Sequence, residues 1–219
     1  MTLWIIDPSL ETAEDEGVRE LQSLWPGDSR LFQPALSGDG PDPTAGYDAD
    51  AVVLMGSAAS VYDDLPWMQP LNGWLQPIID GEVERPLLGI CFGHQLIAHL
   101  AGAPVGFLRE DKSKKLGIEE STLRDSRLLP DGGDLRVVVS HREIVEQAPD
   151  GYRTTASRPE VQVDGIEHDA RPIYSYQFHP EARGEFAERS GIGRDKIDQR
   201  LREDSRRLIR AFVDSVSRP

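Results

Sequence analysis

The sequence lacks the features that typify secreted and membrane-spanning proteins. Its single cysteine, Cys91, cannot form an intrachain disulfide. The apolar run at residues 3–6 stops at Asp7, which is too early for a signal peptide. No apolar run approaches the roughly 18 residues that suggest a membrane-spanning helix. We therefore expect a cytoplasmic protein that has no membrane partner.

Basic residues are also scarce. The chain has 24 Lys and Arg residues against 38 Asp and Glu residues, which gives a formal net charge of −14 at pH 7. A surface this acidic repels a phosphate backbone, and we expect no nucleic-acid partner. One basic cluster stands out, and we interpret it as a solvated loop rather than an anion site. It contains Arg109, Lys112, Lys114 and Lys115.

Metal-binding patterns are missing from the sequence as well. Structural zinc sites usually need several closely spaced cysteines and histidines, and the sequence contains no such cluster. We therefore predict no bound metal and no cofactor. Neither internal repeats nor an interdomain linker is evident, and 219 residues suffice for one α/β domain. We accordingly expect a single domain over residues 1–219.

The first half of the chain alternates between strand and helix patterns. Short apolar runs followed by turn residues, typical of buried parallel strands, occupy residues 3–6, 51–55 and 87–90. Helical spacing of apolar residues occurs at residues 13–24, 71–79 and 93–101. Gly102 is expected to cap the last of these helices. This alternation predicts a doubly wound α/β sheet.

The second half of the chain has a different pattern. Strand patterns without long helices between them lie at residues 135–139, 152–156, 161–166 and 173–178, which favours an antiparallel extension. A final helical pattern covers residues 195–216, and a surface loop is expected at residues 38–46. The predicted fold is therefore a mostly parallel sheet with a small antiparallel extension.

Cys91 is the candidate nucleophile. It lies between Gly89 and Gly93, where a buried strand meets a predicted helix. This is the pattern of a nucleophile elbow, in which small neighbours permit the strained turn that presents the nucleophile. The start of the following helix favours a thiolate, and the backbone N–H of Phe92 can face an oxyanion. A lone cysteine is more often a small core residue, but the paired glycines favour a nucleophile.

His179 is the candidate base, and Glu181 is the candidate group that orients it. Pro180 favours an extended backbone at residues 179–181, and residues two apart in an extended chain share a face. Glu181 can then reach one imidazole nitrogen while the other faces Cys91. A strand-end histidine beside a surface glutamate is the alternative. The acid of an α/β-hydrolase precedes its histidine, so the order found here argues against that fold.

Two motifs together resemble the class I glutamine amidotransferase family. They are Gly-Ile-Cys-Phe-Gly-His-Gln at residues 89–95 and Gln-Phe-His-Pro-Glu at residues 177–181. Residues 54–61 are similar to the oxyanion loop of the family, and residues 140–143 are similar to its substrate-flanking segment. The Asp-Asp-Leu-Pro-Trp sequence at residues 63–67 resembles the stand-alone group related to the glutaminase domain of GMP synthetase.

This resemblance implies a flavodoxin-like fold and a catalytic triad. Cys91 would attack the carboxamide of glutamine to form a glutamyl thioester, His179 would transfer protons, and Glu181 would orient His179. The matching positions also imply oxyanion donors and substrate contacts. The oxyanion donors are backbone groups of Ser57 and Phe92, and the substrate contacts come from Gly56, Gln95, Ser140 and Arg142.

The sequence departs from the family in the segments that would hold the substrate. The family commonly has Gly-Gly-Pro where this chain has Gly56, Ser57 and Ala58, and a small residue where it has Arg142. A positive φ at Ser57, if needed to turn its N–H inward, would strain the backbone. The expected substrate is therefore glutamine or another γ-glutamyl compound.

Three functions remain open from the sequence. The first is a glutaminase that passes ammonia to a separate synthase subunit, because no phosphate-binding loop or acceptor-activating domain is evident. The second is a stand-alone hydrolase of γ-glutamyl peptides or amides, which uses the same thioester chemistry. The third is a catalytically silent regulatory protein, although the retention of all three triad residue types weighs against it.

Overall fold

The computed structural model describes residues 1–44 and 46–217. Ala45, within the predicted loop at residues 38–46, lies outside the described residues. The described strands are β1 (Thr2–Ile6), β2 (Asp28–Phe32), β3 (Ala51–Leu54), β4 (Leu87–Ile90), β5 (Val105–Phe107), β6 (Lys115–Leu123), β7 (Gly133–His141), β8 (Glu143–Val145), β9 (Tyr152–Arg158), β10 (Val161–His168) and β11 (Ile173–Tyr176). The described α-helices are α1 (Asp15–Leu24), α2 (Pro34–Ser37), α3 (Met68–Asp80), α4 (Phe92–Leu100), α5 (Gly184–Arg189) and α6 (Gln199–Ser217).

Nine of these strands form one mixed sheet in the order β2-β1-β3-β4-β11-β10-β9-β6-β7. Neighbouring strands from β2 to β11 are parallel. Neighbouring strands from β11 to β7 are antiparallel. Strands β5 and β8 form a separate antiparallel pair. The predicted flavodoxin-like α/β sheet with an antiparallel extension is confirmed, and β10, β9, β6 and β7 make up the extension.

The parallel half of the sheet is buried on both faces. In β1, Leu3 and Ile5 point to one face, whereas Trp4 and Ile6 point to the other. Helices α1 and α6 cover the first face, and helices α3 and α4 cover the second. The continuous apolar runs in these strands therefore reflect burial on two sides, as is typical of parallel sheets.

The structure differs from three details predicted from the sequence. The sequence predicts that strand β11 belongs to the antiparallel extension. It is antiparallel to β10, because the connection at residues 169–172 reverses the chain, but it is parallel to β4 on its other side. The last helix begins at Gln199 because the carboxylate of Asp198 accepts the N–H of Leu201 (2.9 Å) and caps the helix there. Lys115 lies in β6 rather than in a loop.

Over the described part of the chain, no helix is both long enough and apolar enough to cross a membrane.

Candidate active site

Several segments that follow parallel strands meet at one edge of the sheet. Parallel strands end at a common edge, and this edge is where open α/β folds place their ligand sites. Residues 7–9 follow β1, residues 56–60 follow β3, Cys91 follows β4 and residues 177–181 follow β11. The carbonyl oxygen of Ser140, near the end of β7, lies 3.9 Å from Cys91 Sγ. Residues from the parallel half and from the antiparallel half of the sheet therefore lie beside the candidate nucleophile.

Cys91 occupies a strained turn between β4 and α4. Its φ is 52° and its ψ is −101°, a conformation that residues other than glycine rarely adopt. A Cβ on Gly93 would lie 2.2 Å from the carbonyl oxygen of Leu54, and a Cβ on Gly89 would lie 2.7 Å from the carbonyl oxygen of Gly93. Both glycines are therefore required for α4 to pack closely against β3 and β4. This packing is the physical basis of the elbow pattern.

The thiol of Cys91 has a defined polar environment, although the residue is only 4% exposed. Gln177 Nε2 donates a hydrogen bond to Cys91 Sγ at 3.7 Å. Phe92 is the first residue of α4, so its backbone N–H has no acceptor within the helix. The site therefore combines a donor to the sulfur with a backbone N–H that a ligand oxygen can use.

His179 and Glu181 form the second part of the site. His179 Nδ1 donates to Glu181 Oε1 (2.8 Å), and both side chains are buried. Burial lowers the pKa of His179, but the charges of Glu181 and Cys91 together raise this pKa well above its ordinary value. His179 Nε2 makes no hydrogen bond within the described chain. The structure thus brings together the three residues predicted as nucleophile, base and orienting acid.

The loop after β3 packs over the imidazole ring. A Cβ on Gly56 would lie 2.9 Å from His179 Cε1 and 3.5 Å from Cys91 Cβ. Ser57 Oγ donates to the carbonyl oxygen of Pro8 (2.7 Å), which ties this loop to the segment after β1. Ser57 is not among the described non-glycine residues that have a positive φ. The backbone strain considered for Ser57 therefore does not arise in this arrangement.

Gln95 connects the site to the segment after β7. Its Nε2 donates to the carbonyl oxygen of Glu143 (2.8 Å) and to Gln177 Oε1 (3.2 Å). Glu143 Oε1 in turn accepts the hydroxyl of Ser60 (3.0 Å). Because both amide hydrogens of Gln95 are used within the chain, its Oε1 is the group that remains for a ligand.

Ser140 and Arg142, both predicted to contact substrate, differ in exposure. Ser140 is buried beside Cys91, whereas the side chain of Arg142 is exposed. The carbonyl oxygen of Arg142 accepts the N–H of Leu108 (2.8 Å). The structure therefore places Ser140 next to the candidate nucleophile and leaves the guanidinium of Arg142 in solvent.

Two other buried histidines are held by neighbours of their own. His94 contacts Ser175 Oγ (2.8 Å) and the carbonyl oxygen of Val163 (3.2 Å), and burial lowers the pKa of His94 to about 4. His141 Nε2 accepts from Arg158 Nη2 (3.1 Å), and burial with the charge of Arg158 lowers the pKa of His141 to about 3. Both rings are therefore uncharged at neutral pH. No group of three or more His, Cys, Asp and Glu residues within the described ranges could hold a metal ion.

Gln177 belongs to the motif at residues 177–181, but the sequence does not predict its contact with Cys91 Sγ. It lies two residues before His179 in extended chain, so the same alternation that relates His179 to Glu181 also predicts that Gln177 shares their face. Arg183 is a second such residue, since it bonds to the backbone on both sides of Glu181. No sequence pattern identifies Arg183, because its contacts depend on tertiary structure.

Known proteins resemble this chain along most of its length. Residues 40–194 match the family described as Glutamine amidotransferase class-I. A glutamine-hydrolyzing GMP synthase of Gibberella zeae is 39% identical over 142 residues, which are 62% of this chain and 24% of that protein. One subunit of a glutamine-hydrolyzing GMP synthase from Saccharolobus solfataricus is 31% identical over 136 residues, which are 61% of this chain and 68% of that protein. The matched region thus spans about a quarter of the Gibberella zeae relative.

A solved structure has the same fold. The crystal structure of a glutamine amidotransferase from Thermotoga maritima matches 100% of this chain and 99% of its own length, with a TM-score of 0.77 and 18% sequence identity. At this identity the likeness concerns the fold alone. The family match, however, covers well over half of the chain and includes both Cys91 and His179. The chain belongs to the class I glutamine amidotransferase family.

Proposed function

We propose that the chain hydrolyses the side-chain amide of glutamine, or of a related γ-glutamyl compound, through a thioester on Cys91. The observation that supports this most strongly is the position of His179, which is bonded to Glu181 and lies beside Cys91, since a Cβ on Gly56 would be 2.9 Å from His179 Cε1 and 3.5 Å from Cys91 Cβ. The raised pKa of His179 favours an imidazolium, whose charge would stabilise a thiolate on Cys91. A thiolate is the reactive form of a cysteine nucleophile.

The first half-reaction forms the thioester. Cys91 Sγ attacks the carbonyl carbon of the amide, and the carbonyl oxygen becomes an oxyanion. The backbone N–H of Phe92, together with that of Ser57, would stabilise the oxyanion. One such donor lowers the activation barrier by about 3 kcal/mol. His179 then donates its proton to the amide nitrogen, the C–N bond breaks, and ammonia leaves.

The second half-reaction hydrolyses the thioester. His179, now uncharged, takes a proton from water while the water oxygen attacks the thioester carbonyl carbon. The C–S bond breaks, which regenerates the thiolate of Cys91 and releases glutamate. Glu181 stabilises the imidazolium in both steps. The hydrogen bond from Gln177 to Sγ stabilises the sulfur when it carries negative charge.

The ammonia would pass to a separate synthase subunit. The relative from Saccharolobus solfataricus is by name one subunit of a glutamine-hydrolyzing GMP synthase, and the match spans 68% of its length. A chain of this size that releases ammonia therefore has a precedent among its relatives as one part of a larger enzyme. We propose that the partner is a protein that activates an acceptor for ammonia.

A second candidate is a stand-alone hydrolase of γ-glutamyl peptides or amides. Arg142 supports this possibility, because its exposed side chain lies on the segment that resembles the substrate-flanking segment of the family. A guanidinium binds carboxylates with two parallel hydrogen bonds. It could therefore hold the carboxylate of the C-terminal residue of a γ-glutamyl peptide. Free glutamine does not have this second carboxylate.

The test compares the purified chain with its Cys91→Ala variant on glutamine and on γ-glutamyl dipeptides, measuring released ammonia and amine. Ammonia release by the wild type and its loss in Cys91→Ala support the proposal. Equal activity in the two chains contradicts it. Preferential cleavage of dipeptides favours the stand-alone hydrolase, and inactivity that persists with the synthetase subunit of a GMP synthase favours a regulatory protein.

A further inference from the structure

We propose that helix α1 positions Glu181 of the triad, with Arg183 and Gly17 as the residues that make this possible. The inference rests on the function proposed above, and it concerns two residues that lie outside the family motifs. Glu181 Oε1 bonds to His179, whereas Glu181 Oε2 is buried and makes no hydrogen bond within the described chain.

A carboxylate held by one hydrogen bond takes its position from its backbone and from the groups packed around it. Arg183 fixes that backbone. Its Nη1 donates to the carbonyl oxygens of Pro180 (2.9 Å) and Ala182 (2.6 Å), one on each side of Glu181. Arg183 is itself only 4% exposed, so this contact is shielded from water and weakly screened.

Glu20 attaches the guanidinium of Arg183 to helix α1. Arg183 Nη2 forms an ion pair with Glu20 Oε1 at 2.8 Å, although the two groups are not aligned for a hydrogen bond. Arg206 of helix α6 pairs with the same carboxylate at 2.6 Å. Burial raises the pKa of Glu20, but Arg206 and Arg183 together lower it to about 2. Glu20 therefore stays charged at neutral pH and holds Arg183 against α1.

Gly17 brings the same helix against the side chain of Glu181. A Cβ at residue 17 would lie 2.9 Å from Glu181 Cγ and 3.2 Å from Met55 Cε. Cγ lies in the middle of a buried side chain, so an added methyl group must displace Glu181 or the helix. Alanine is a better helix former than glycine, and the contact with Glu181 gives a physical reason for glycine here.

Two further contacts align α1 with the segment after Glu181. Glu16 Oε2 accepts the N–H of Glu185 (2.6 Å), and Arg189 Nη2 pairs with Glu14 Oε2 (2.5 Å). Helix α1 and the residue before it thus contact the Glu181 side chain, the Arg183 guanidinium and the segment that follows them. Glu181 is therefore positioned by these contacts together with its single hydrogen bond to His179.

The test uses Arg183→Met and Gly17→Ala, with Arg194→Met as a matched control. Arg194 pairs with Glu188 (2.6 Å) in the same region, but both side chains are more than half exposed. We expect kcat on glutamine to fall about 100-fold in Arg183→Met and about 10-fold in Gly17→Ala, with KM within about twofold, because small misplacements of catalytic groups have effects of this size. Arg194→Met should match the wild type.

A second readout is the titration of the His179 ring, followed by NMR in each variant. The titratable groups around this ring are Cys91, Glu181, Glu14 and His141. If Glu181 shifts away, the pKa of His179 falls in both variants. A merely structural role for Arg183 would lower thermal stability without moving this titration.

The two proposals fail in different ways. If Cys91→Ala is as active as the wild type, the proposed chemistry is wrong, but the titration of His179 still tests the placement of Glu181. If Arg183→Met and Gly17→Ala both retain the wild-type kcat and the wild-type titration of His179, helix α1 does not position Glu181 and the inference is overturned.

Discussion

Gly56 packs directly against the imidazole of His179, so closely that a Cβ at residue 56 would lie 2.9 Å from Cε1. The same Cβ would lie 3.5 Å from the Cβ of Cys91. An added methyl group at this point forces buried neighbours to move. The absence of a side chain at residue 56 therefore defines the space in which the proposed nucleophile and base meet.

Gly56→Ala should lower kcat about 100-fold, because the added methyl group displaces His179 from Cys91. Steady-state release of ammonia from glutamine measures this effect. Ala58→Ser is the control, since residue 58 lies in the same loop with its side chain exposed. We expect Ala58→Ser to keep the wild-type kcat, and wild-type activity in Gly56→Ala would show that the ring is not held where we place it.

Gln177→Leu should lower both kcat/KM and the rate at which an alkylating agent modifies Cys91, because the sulfur loses its hydrogen-bond donor. A hydrogen bond to a charged group contributes about 1.5–3 kcal/mol, which corresponds to a loss of about 10-fold to 100-fold. Gln177→Glu keeps the shape but places a carboxyl group beside the thiolate, so it should react more slowly still. Alkylation of Gln177→Leu at the wild-type rate would show that Gln177 does not stabilise the Cys91 thiolate.

The pH dependence should report the pKa of His179, which burial lowers but Glu181 and Cys91 together raise well above its ordinary value. The imidazolium persists above neutral pH, and activity falls at alkaline pH as this proton is lost. Glu181→Gln removes one of the two charges that raise the pKa, so the alkaline limb of the kcat/KM profile should move to lower pH. An unchanged or higher alkaline limb in Glu181→Gln contradicts this assignment of charge.

Arg158→Met should destabilise the fold by about 3–5 kcal/mol, because it leaves the carboxylate of Asp164 without its buried partner. The two side chains form a 2.7 Å ion pair and are both fully buried. Arg200→Met is the matched control, since its pair with Glu120 is more than half exposed and should contribute at most about 1 kcal/mol. Urea unfolding measures both variants, and equal losses would contradict a special role for the buried pair.

The sequence predicts the centre of the candidate site because its determinants are local. The turn at Cys91 depends on Gly89 and Gly93, which each lie two residues away. The pairing of His179 with Glu181 depends only on an extended backbone at residues 179–181. Each motif lies within a few residues of the chain. The roles assigned to these residues stay predictions, as does the assignment of residues 1–219 to a single domain.

The sequence does not predict β6, because its buried positions do not follow an apolar alternation. Ser121 in this strand is fully buried, and its hydroxyl donates to Asp164 Oδ2 (2.6 Å). Lys115 and Glu119 of the same strand form an ion pair. Polar side chains in β6 can be buried because they bond to residues distant in the sequence. A pattern based on hydrophobicity therefore does not detect this strand.

The contacts of α1 with the site are equally hidden in the sequence. Gly17 and Glu181 are separated by most of the chain, and so are Glu20 and Arg183. Amphipathic spacing predicts that α1 packs on the sheet, but it does not indicate which segment lies at the end of that face. Such long-range contacts can be seen only after the chain has folded.

The most direct test of the proposed thioester is mass spectrometry of the Cys91 peptide after the chain has been mixed with glutamine and rapidly quenched in acid. We expect a glutamyl group attached to Cys91 in the wild type, formed and lost on the timescale of turnover. Cys91→Ala should carry no such group and release no ammonia. Turnover of glutamine by the wild type without any glutamyl group on Cys91, and at an equal rate by Cys91→Ala, would contradict the proposed thioester.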